Sequence, residues 1–498
     1  MRGILSEFAA LIENLLGAQG LSSYCHIYFL NLAQINQPIK GISMRKKNYG
    51  MLSVSLICGL CMPNLYAHSA SVQEAVLAGH ALLPAESFVA APADAPHNLH
   101  YSGKFTGAER IDEPGTLEGH SAQRPTGVFL PFKGQPLQGH SGIKKMADGS
   151  YWILTDNGAG SKANSADFML YLSRYRIDFK QGNFEPLERI FLHDPNKKVP
   201  FPIVNEATDM RYLTGADFDP ESFQIIGDTL WIGDEFGPYL IKANLKGKVL
   251  QVFATKAANK IIRSPDNHSL KMPGAPTDAV PEFEAKRSKG FEGMAASKDG
   301  KKLYPLLEGS LWDTEQQVYE NDKGKNYLRI LEFDLDTEQW SGNFWKYPLE
   351  NNANAIGDFN MIDEQRALVI ERDNGEGVVE KACASGEQDK TACFADLPKF
   401  KRVYLIRFNR DNQGQNVEKL AYVDLLNIQD PNQLARKPLS EGRFKFPFFT
   451  IENVDLVDEK HIIVGNDNNL PYSSSREPNK ADDNELILLN VESMLKIK

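Results

Sequence analysis

The sequence predicts an all-β fold, a β-propeller with six blades preferred and five to seven compatible, closed by an N-terminal strand. Three observations predict it. A strand–turn–strand pattern recurs in five copies, further strand-like runs follow most copies, and helical periodicity of useful length is nearly absent.

The copies are SGIKKMADGSYWILTDNG (141–158), ESFQIIGDTLWIGDEFG (221–237), EGMAASKDGKKLYPLLEG (292–309), DFNMIDEQRALVIERDNG (358–375) and ENVDLVDEKHIIVGNDNN (452–469). Asp148-Gly149 and Asp299-Gly300 are strong hairpin turns, and Gly227-Asp228, Asp363-Glu364 and Asp458-Glu459 fill the same place more weakly. Runs at 171–179, 239–253, 327–336 and 403–409 supply outer strands of four-stranded units. The copies start 66 to 94 residues apart, longer than the roughly 40 to 50 of a lean blade, so the excess goes into loops. Only 485–491 follows the last copy as a clear strand, and a strand near Phe105 to Ile111 is expected to complete the final blade. Trp152, Trp231, Phe291 and Tyr304 read as blade core.

The first and last residues of a hairpin lie at the same end, so the repeat gathers acids. The starting positions are Ser141, Glu221, Glu292, Asp358 and Glu452, and the closing ones are Asp156, Glu235, Glu308, Asp373 and Asp467. With the first strands lining a central channel, these carboxylates converge on one mouth. Like charges brought together repel and raise each other's pKa unless a cation neutralises them. A hard, oxygen-liganded metal is therefore expected, Ca²⁺ before other divalent ions because it accepts many oxygens in flexible geometry. The expected metal ligands are Asp156, Glu221, Asp234, Asp358, Glu371, Asp373, Glu452 and Asp467, with Glu235, Glu292 and Arg372 as catalytic residues. Asn157, Asn453, Asp455, Asn466 and Asn468 are further donors alongside. Lys144, Lys145, Lys162, Arg211 and Arg372 interleave with the acids, and a cation beside a metal can hold a phosphoryl group. Local turn-closing bonds account for a single Asp-Asn-Gly, but not for glutamates at several equivalent places.

The N-terminus reads differently. Met44-Arg45-Lys46-Lys47 is a basic start, 51–62 (MLSVSLICGLCM) is apolar, and Ala67 ends a small-residue close, which is the pattern of a secretory signal. Residues 1–43 then read as an upstream extension or mis-assigned start, 44–67 as a signal cleaved near Ala67, 68–100 as a mobile lead-in and 101–498 as the propeller. A periplasmic or secreted location without a stable membrane anchor follows as an expectation. Removing 1–67 leaves a net charge of −13, which argues against nucleic-acid binding. It also leaves only Cys383 and Cys393, which flank the polar insert ASGEQDKTA and suit a disulfide in an oxidising compartment.

Other catalytic patterns are poor. GHSG (139–142) is not a nucleophile elbow, His140 reads as a packed or turn residue, and neither H-E-x-x-H nor a phosphate-cradling loop is present. GHSGI with TDNG, DEFGPYL (234–240), KGFEGMA (289–295), ERDNG (371–375) and IENVD with GNDNN together resemble a phytase-like family of exported bacterial proteins, described by an esterase-like activity of phytase. The resemblance covers roughly 119–491 and implies a propeller and a phosphoesterase-like hydrolase. The expected function is thus an exported, metal-dependent phosphoesterase acting as a monomer on a small phosphorylated or anionic ester. The alternatives are a lactonase-type carboxyl-ester hydrolase and a non-catalytic binding propeller.

Overall fold

The computed structural model describes residues 70–107, 109–257, 260–271 and 282–498. The expected upstream extension and signal lie outside the described residues. Five antiparallel units of four strands, two of them extended by a further strand, stand around one axis, so the chain is an all-β propeller of five blades, at the low end of the expected range. Blade 1 is His140–Lys145, Tyr151–Thr155, Tyr171–Asp178 and Asn183–Phe191, counted from the axis outward. Blade 2 is Pro220–Ile226, Thr229–Asp234, Tyr239–Asn244 and Val249–Ala254. Blade 3 is Phe291–Ala296, Lys302–Leu307, Lys325–Asp334 and Gln339–Pro348. Blade 4 is Ala355–Met361, Arg366–Arg372, Lys401–Arg407 and Glu418–Asp424.

Blade 5 closes the ring out of sequence. Ile451–Leu456, His461–Asn466 and Asn484–Asn490 come from the C-terminal end, and Val76–Leu83 adds the outermost strand. An N-terminal strand does close the fold, but it is this one and not a strand near Phe105 to Ile111. Ser71–Gln73 pairs in parallel with the outer strand of blade 4. The segment read as a mobile lead-in therefore holds two strands of the sheets. Its alanine-rich composition concealed them, since alanine is a weak strand former and gives little periodic signal.

Each pair of neighbouring blades buries a shared apolar layer, which is what holds radial sheets together. Blades 1 and 2 share Trp152, Leu172, Phe223 and Ile241, blades 2 and 3 share Trp231, Leu240, Met294 and Phe333, and blades 3 and 4 share Ile330, Trp345, Phe359 and Tyr404. Blades 4 and 5 share Leu368, Val403, Val454 and Ile487, and blades 5 and 1 close the ring with Ile463, Leu486, Ile143 and Ile153.

The channel is bridged beneath one end. The Asp358 carboxylate accepts hydrogen bonds from the backbone of Ile143 in blade 1 (3.3 Å) and Val454 in blade 5 (3.1 Å). Asn360 accepts from Lys144 (3.0 Å) and Gln224 (2.8 Å) and donates to the Val454 carbonyl (2.9 Å). The end above this bridge is consequently a blind cup. Short hairpins built from Leu117–Ser121 and Arg124–Leu130 pack at that end on Leu470 and Ala481 of blade 5. Cys383 and Cys393 are bridged, with Cα atoms 4.9 Å apart, across an exposed loop of blade 4. No helix among the described residues is long and apolar enough to cross a membrane.

Candidate functional site

The start of every inner strand carries a register shift against its neighbour. In blades 2, 3 and 5 the extra residue is Glu221, Glu292 and Glu452, between the paired positions on either side. A bulge re-aims the side chain it carries. Here three glutamates that would otherwise follow the pleat line the mouth. The closing acids arrive by one repeated bond: the amides of Asp156, Glu235 and Glu308 donate to the carbonyls of Gly139 (2.9 Å), Asp219 (2.9 Å) and Gly290 (2.8 Å). Two of these acceptors must be glycine. A Cβ on Gly139, whose φ is +59°, would lie 2.0 Å from an Asp156 carboxylate oxygen, and one on Gly290 would lie 2.5 Å from the Glu235 Cα.

The cup has a volume of about 160 Å³, and eight carboxylates line it: Asp156, Asp219, Glu221, Glu235, Glu292, Glu308, Glu452 and Asp467. One oxygen each from Asp219, Glu221 and Glu235 lies within 4.8 Å of the others, and the same holds for Glu235, Glu292 and Glu308. Oε1 of Glu235 and of Glu292 are buried without a hydrogen-bond partner. Loss of solvent pushes Asp156 up to about 6 and Glu452 up to about 7. It also holds Asp219, Glu221, Glu235, Glu292 and Asp467 well above the usual carboxylate range, with repulsion from neighbouring acids adding to it.

Two cations stand at the rim. Arg372 donates to Glu452 (3.3 Å) and Asn374 (3.2 Å), while its Nε is buried without a partner. Lys289 pairs with Glu308. Burial alone would lower the Lys289 ammonium, but the carboxylates of Glu308 and Glu235 hold it above its ordinary value.

Of the expected site residues, the structure brings Asp156, Glu221, Glu452, Asp467, Glu235, Glu292 and Arg372 into the cup. Four expected ligands stand elsewhere with their oxygens already engaged. Asp234 accepts from the amides of Asp219 (2.8 Å) and Gly237 (2.7 Å), and Asp358 is the channel bridge described above. Glu371 accepts from Tyr347, Asn354, Lys419 and the Glu350 amide, and Asp373 from the amides of Lys399 and Phe400. In blade 4 the amide of Asp373 donates to the Phe400 carbonyl just before the third strand, so this copy turns its closing acid away from the axis.

The other basic candidates also leave the site. Lys144 pairs with Asp455 in the channel (3.3 Å), Arg211 with Asp194 (3.1 Å), and Lys162 donates to the Asp266 carbonyl (3.1 Å). Ser141 donates to Glu452 (3.1 Å), and His140 is buried, its pKa lowered to about 3 by loss of solvent. Asp219 is the acid that the repeat alignment missed. It precedes the second copy by two residues, where blades 1 and 3 have Gly139 and Gly290, so extending the alignment upstream exposes it.

Fold and site define a five-bladed β-propeller with a blind acidic cup on its axis. Residues 135–470 match the phytase-like family described as "Esterase-like activity of phytase", and the chain belongs to that family. A protein of Arthroderma benhamiae named an uncharacterized secreted protein is 32% identical over 130 residues, 24% of each chain. The match thus spans about a quarter of that relative's length. Among solved structures, the periplasmic gluconolactonase PpgL of Pseudomonas aeruginosa is 11% identical, with 78% of this chain and 98% of that one covered at a TM-score of 0.28. A luciferin-regenerating enzyme is 9% identical, with 71% and 92% covered at a TM-score of 0.29. At these scores neither likeness bears on what this chain does.

Proposed function

We propose that the protein is an exported hydrolase of small anionic esters, a phosphoesterase that works with a divalent cation, Ca²⁺ before others, held in the axial cup. The observation that carries the reading is the pair of carboxylate triads sharing Glu235, with buried, unpartnered oxygens on Glu235 and Glu292. Such oxygens fit a hard cation, which gathers many oxygen ligands and removes the cost of crowding like charges. Asp219, Glu221, Glu235, Glu292 and Glu308 would hold it. When bound, such an ion polarises an ester oxygen and acidifies water.

The chain's own groups supply the rest. Arg372, with Nε free of protein partners, orients an anionic oxygen of the substrate beside Glu452. Glu452, raised to about 7 by burial, can accept a proton from water near neutral pH. The secretory pattern of 44–67 and the name of the fungal relative support export.

Calorimetry on the chelated protein, followed by an activity screen with phosphomonoester, phosphodiester and lactone substrates with and without Ca²⁺, tests the reading. Ca²⁺ binding together with Ca²⁺-dependent phosphoester cleavage is the expected result. Lactone cleavage alone moves the protein to the carboxyl-ester class, and absence of Ca²⁺ binding removes the metal. Expression from Met44 should yield a mature N-terminus at His68, read by N-terminal sequencing.

A further inference from the structure

A second cavity of about 330 Å³ opens beside the cup between blades 3 and 4, and the two share Lys289, Glu308 and Arg372 as a common wall. Its chemistry differs from that of the cup. Asn326, Asn354 and Asn374 line it together with Leu328, Leu349 and the exposed ring of Phe449. Both cations of the shared wall are already engaged, Lys289 with Glu308 and Arg372 with Glu452. Lys286 stands at the groove with its ammonium 4.1 Å over the Tyr319 ring.

We infer that this groove is the subsite for the non-reacting part of the substrate, and that it takes a hydroxylated ring carrying no second anionic group, a sugar monoester rather than a polyanion. The inference rests on the hydrolase reading above. Amide side chains offer both a donor and an acceptor to hydroxyls. Asn354 commits its nitrogen to Glu371 (2.9 Å) and Asn374 its oxygen to Arg372 (3.2 Å), which leaves one acceptor and one donor for a ligand. The Phe449 ring, which the Arg372 guanidinium overlies at 5.6 Å from its centroid, is still exposed in part and suits the apolar C–H face of a pyranose there. A second phosphate in the groove would find both cations of the shared wall already paired and Lys286 held over the Tyr319 ring, and Glu308 would repel it. The ester itself sits at the shared wall, where Arg372 faces both cavities.

The test compares three probes on the Ca²⁺-loaded protein and on the chelated protein: inorganic phosphate, glucose 6-phosphate and fructose 1,6-bisphosphate, each by calorimetric titration. Glucose 6-phosphate should bind about tenfold more tightly than inorganic phosphate, from one stacked ring and one or two hydrogen bonds. The bisphosphate should gain nothing further. Asn326→Ala should remove most of the preference for the sugar phosphate while leaving inorganic phosphate and Ca²⁺ affinities within about twofold, and Phe449→Ala, whose ring also lies under Arg372, should weaken glucose 6-phosphate more than inorganic phosphate and leave Ca²⁺ affinity within about twofold. Equal binding of phosphate and glucose 6-phosphate, tighter binding of the bisphosphate, or variants that weaken all probes alike would overturn the inference. A protein that binds no Ca²⁺ yet keeps the sugar preference would sink the hydrolase reading and leave the groove standing.

Discussion

The carboxylates of the cup and those of the blade flanks are equally hidden from water but differently accompanied. Glu371 and Glu485 are fully buried, as are Glu235 and Glu292 to within 5%. Glu371 accepts four hydrogen bonds, one of them from Lys419 at 2.8 Å. Glu485 is gripped by Arg476 through two bonds (3.0 and 2.7 Å) and by the His80 ring (3.1 Å). The backbone of Arg436 donates to His80 Nδ1, so Nε2 carries the proton given to Glu485. Glu235 and Glu292 have other acids as neighbours and an oxygen each with no partner. Burial is therefore common to both groups and does not distinguish a site. Compensation does: the flanks set protein cations against their carboxylates, and the cup leaves Glu235 and Glu292 for something from outside.

The largest effect should come from the compensated side. Glu485→Gln removes the partner of a buried arginine at the point where the N-terminal strand closes the ring, and breaking such a pair costs about 3–5 kcal/mol. Burial alone raises the Glu485 carboxyl, but Arg476 and His80 overcome it and hold it at about 2 against an ordinary 4.5. A depressed folded pKa contributes stability that is present above the unfolded value and lost as pH falls through the folded one. Wild type should accordingly lose stability between about pH 4.5 and 2, and the variant should lack that part of the slope. Denaturant titrations at neutral and acid pH measure both. A cost below about 1 kcal/mol at neutral pH would mean the flank pair is not what it looks like.

A middle-sized effect separates the groups directly. Calcium at about a hundred times its dissociation constant should stabilise wild type by about 2.7 kcal/mol, because it binds only the folded state. Glu235→Gln, which alters the acid shared by both triads, should remove most of that gain. Glu371→Gln should lower the melting temperature of the chelated protein yet keep the Ca²⁺-dependent rise. Equal losses of the rise in the two variants would erase the distinction between flank and cup.

Much of this contrast was written in the repeat, and part of it was not. Hairpin signals at Asp148-Gly149 and Asp299-Gly300, with acids in phase at each hairpin end, led to the propeller and to Glu221, Glu235, Glu292 and Glu452 at one mouth. The same phase rule overreached in blade 4. Asp358 starts its copy as Glu221 starts its own, but aspartate is one methylene shorter and is reached by backbone amides of two other blades, 1 and 5. Glu371 lies one residue before Arg372, which lines the cup, and so points to the blade flank, as alternation along a strand requires. Asp219 stands where two other copies have glycine, and Lys289 precedes its copy by three residues, so both fall outside the aligned repeat. Blade number was beyond the repeat period, since loops of unequal length separate the copies and Val76–Leu83 closes blade 5 from the far end of the chain.

The smallest expected effect is also the one with the least intuitive sign. Removing a charge usually destabilises when the charge is paired, but the Glu292 carboxylate has no cation as a hydrogen-bond partner, and burial together with repulsion from Glu308, Glu452 and Glu235 outweighs the attraction of Arg372. Glu292→Gln keeps the shape of the side chain and supplies an amide that can donate to those neighbours. In chelated protein the variant should therefore be more stable than wild type by up to about 1 kcal/mol, against the general tendency of core substitutions. Because the folded carboxyl is raised, its stabilising contribution is full at low pH and is lost as pH rises, so the wild type is penalised most in alkaline solution. The advantage of the variant should be clear at about pH 8 and gone at about pH 5, and saturating Ca²⁺ should reverse it by stabilising wild type more. Urea titrations in chelator at the two pH values, repeated with Ca²⁺, decide the matter. A variant less stable than wild type at about pH 8 without metal would show that protein groups already compensate Glu292, and the cup would join the flanks.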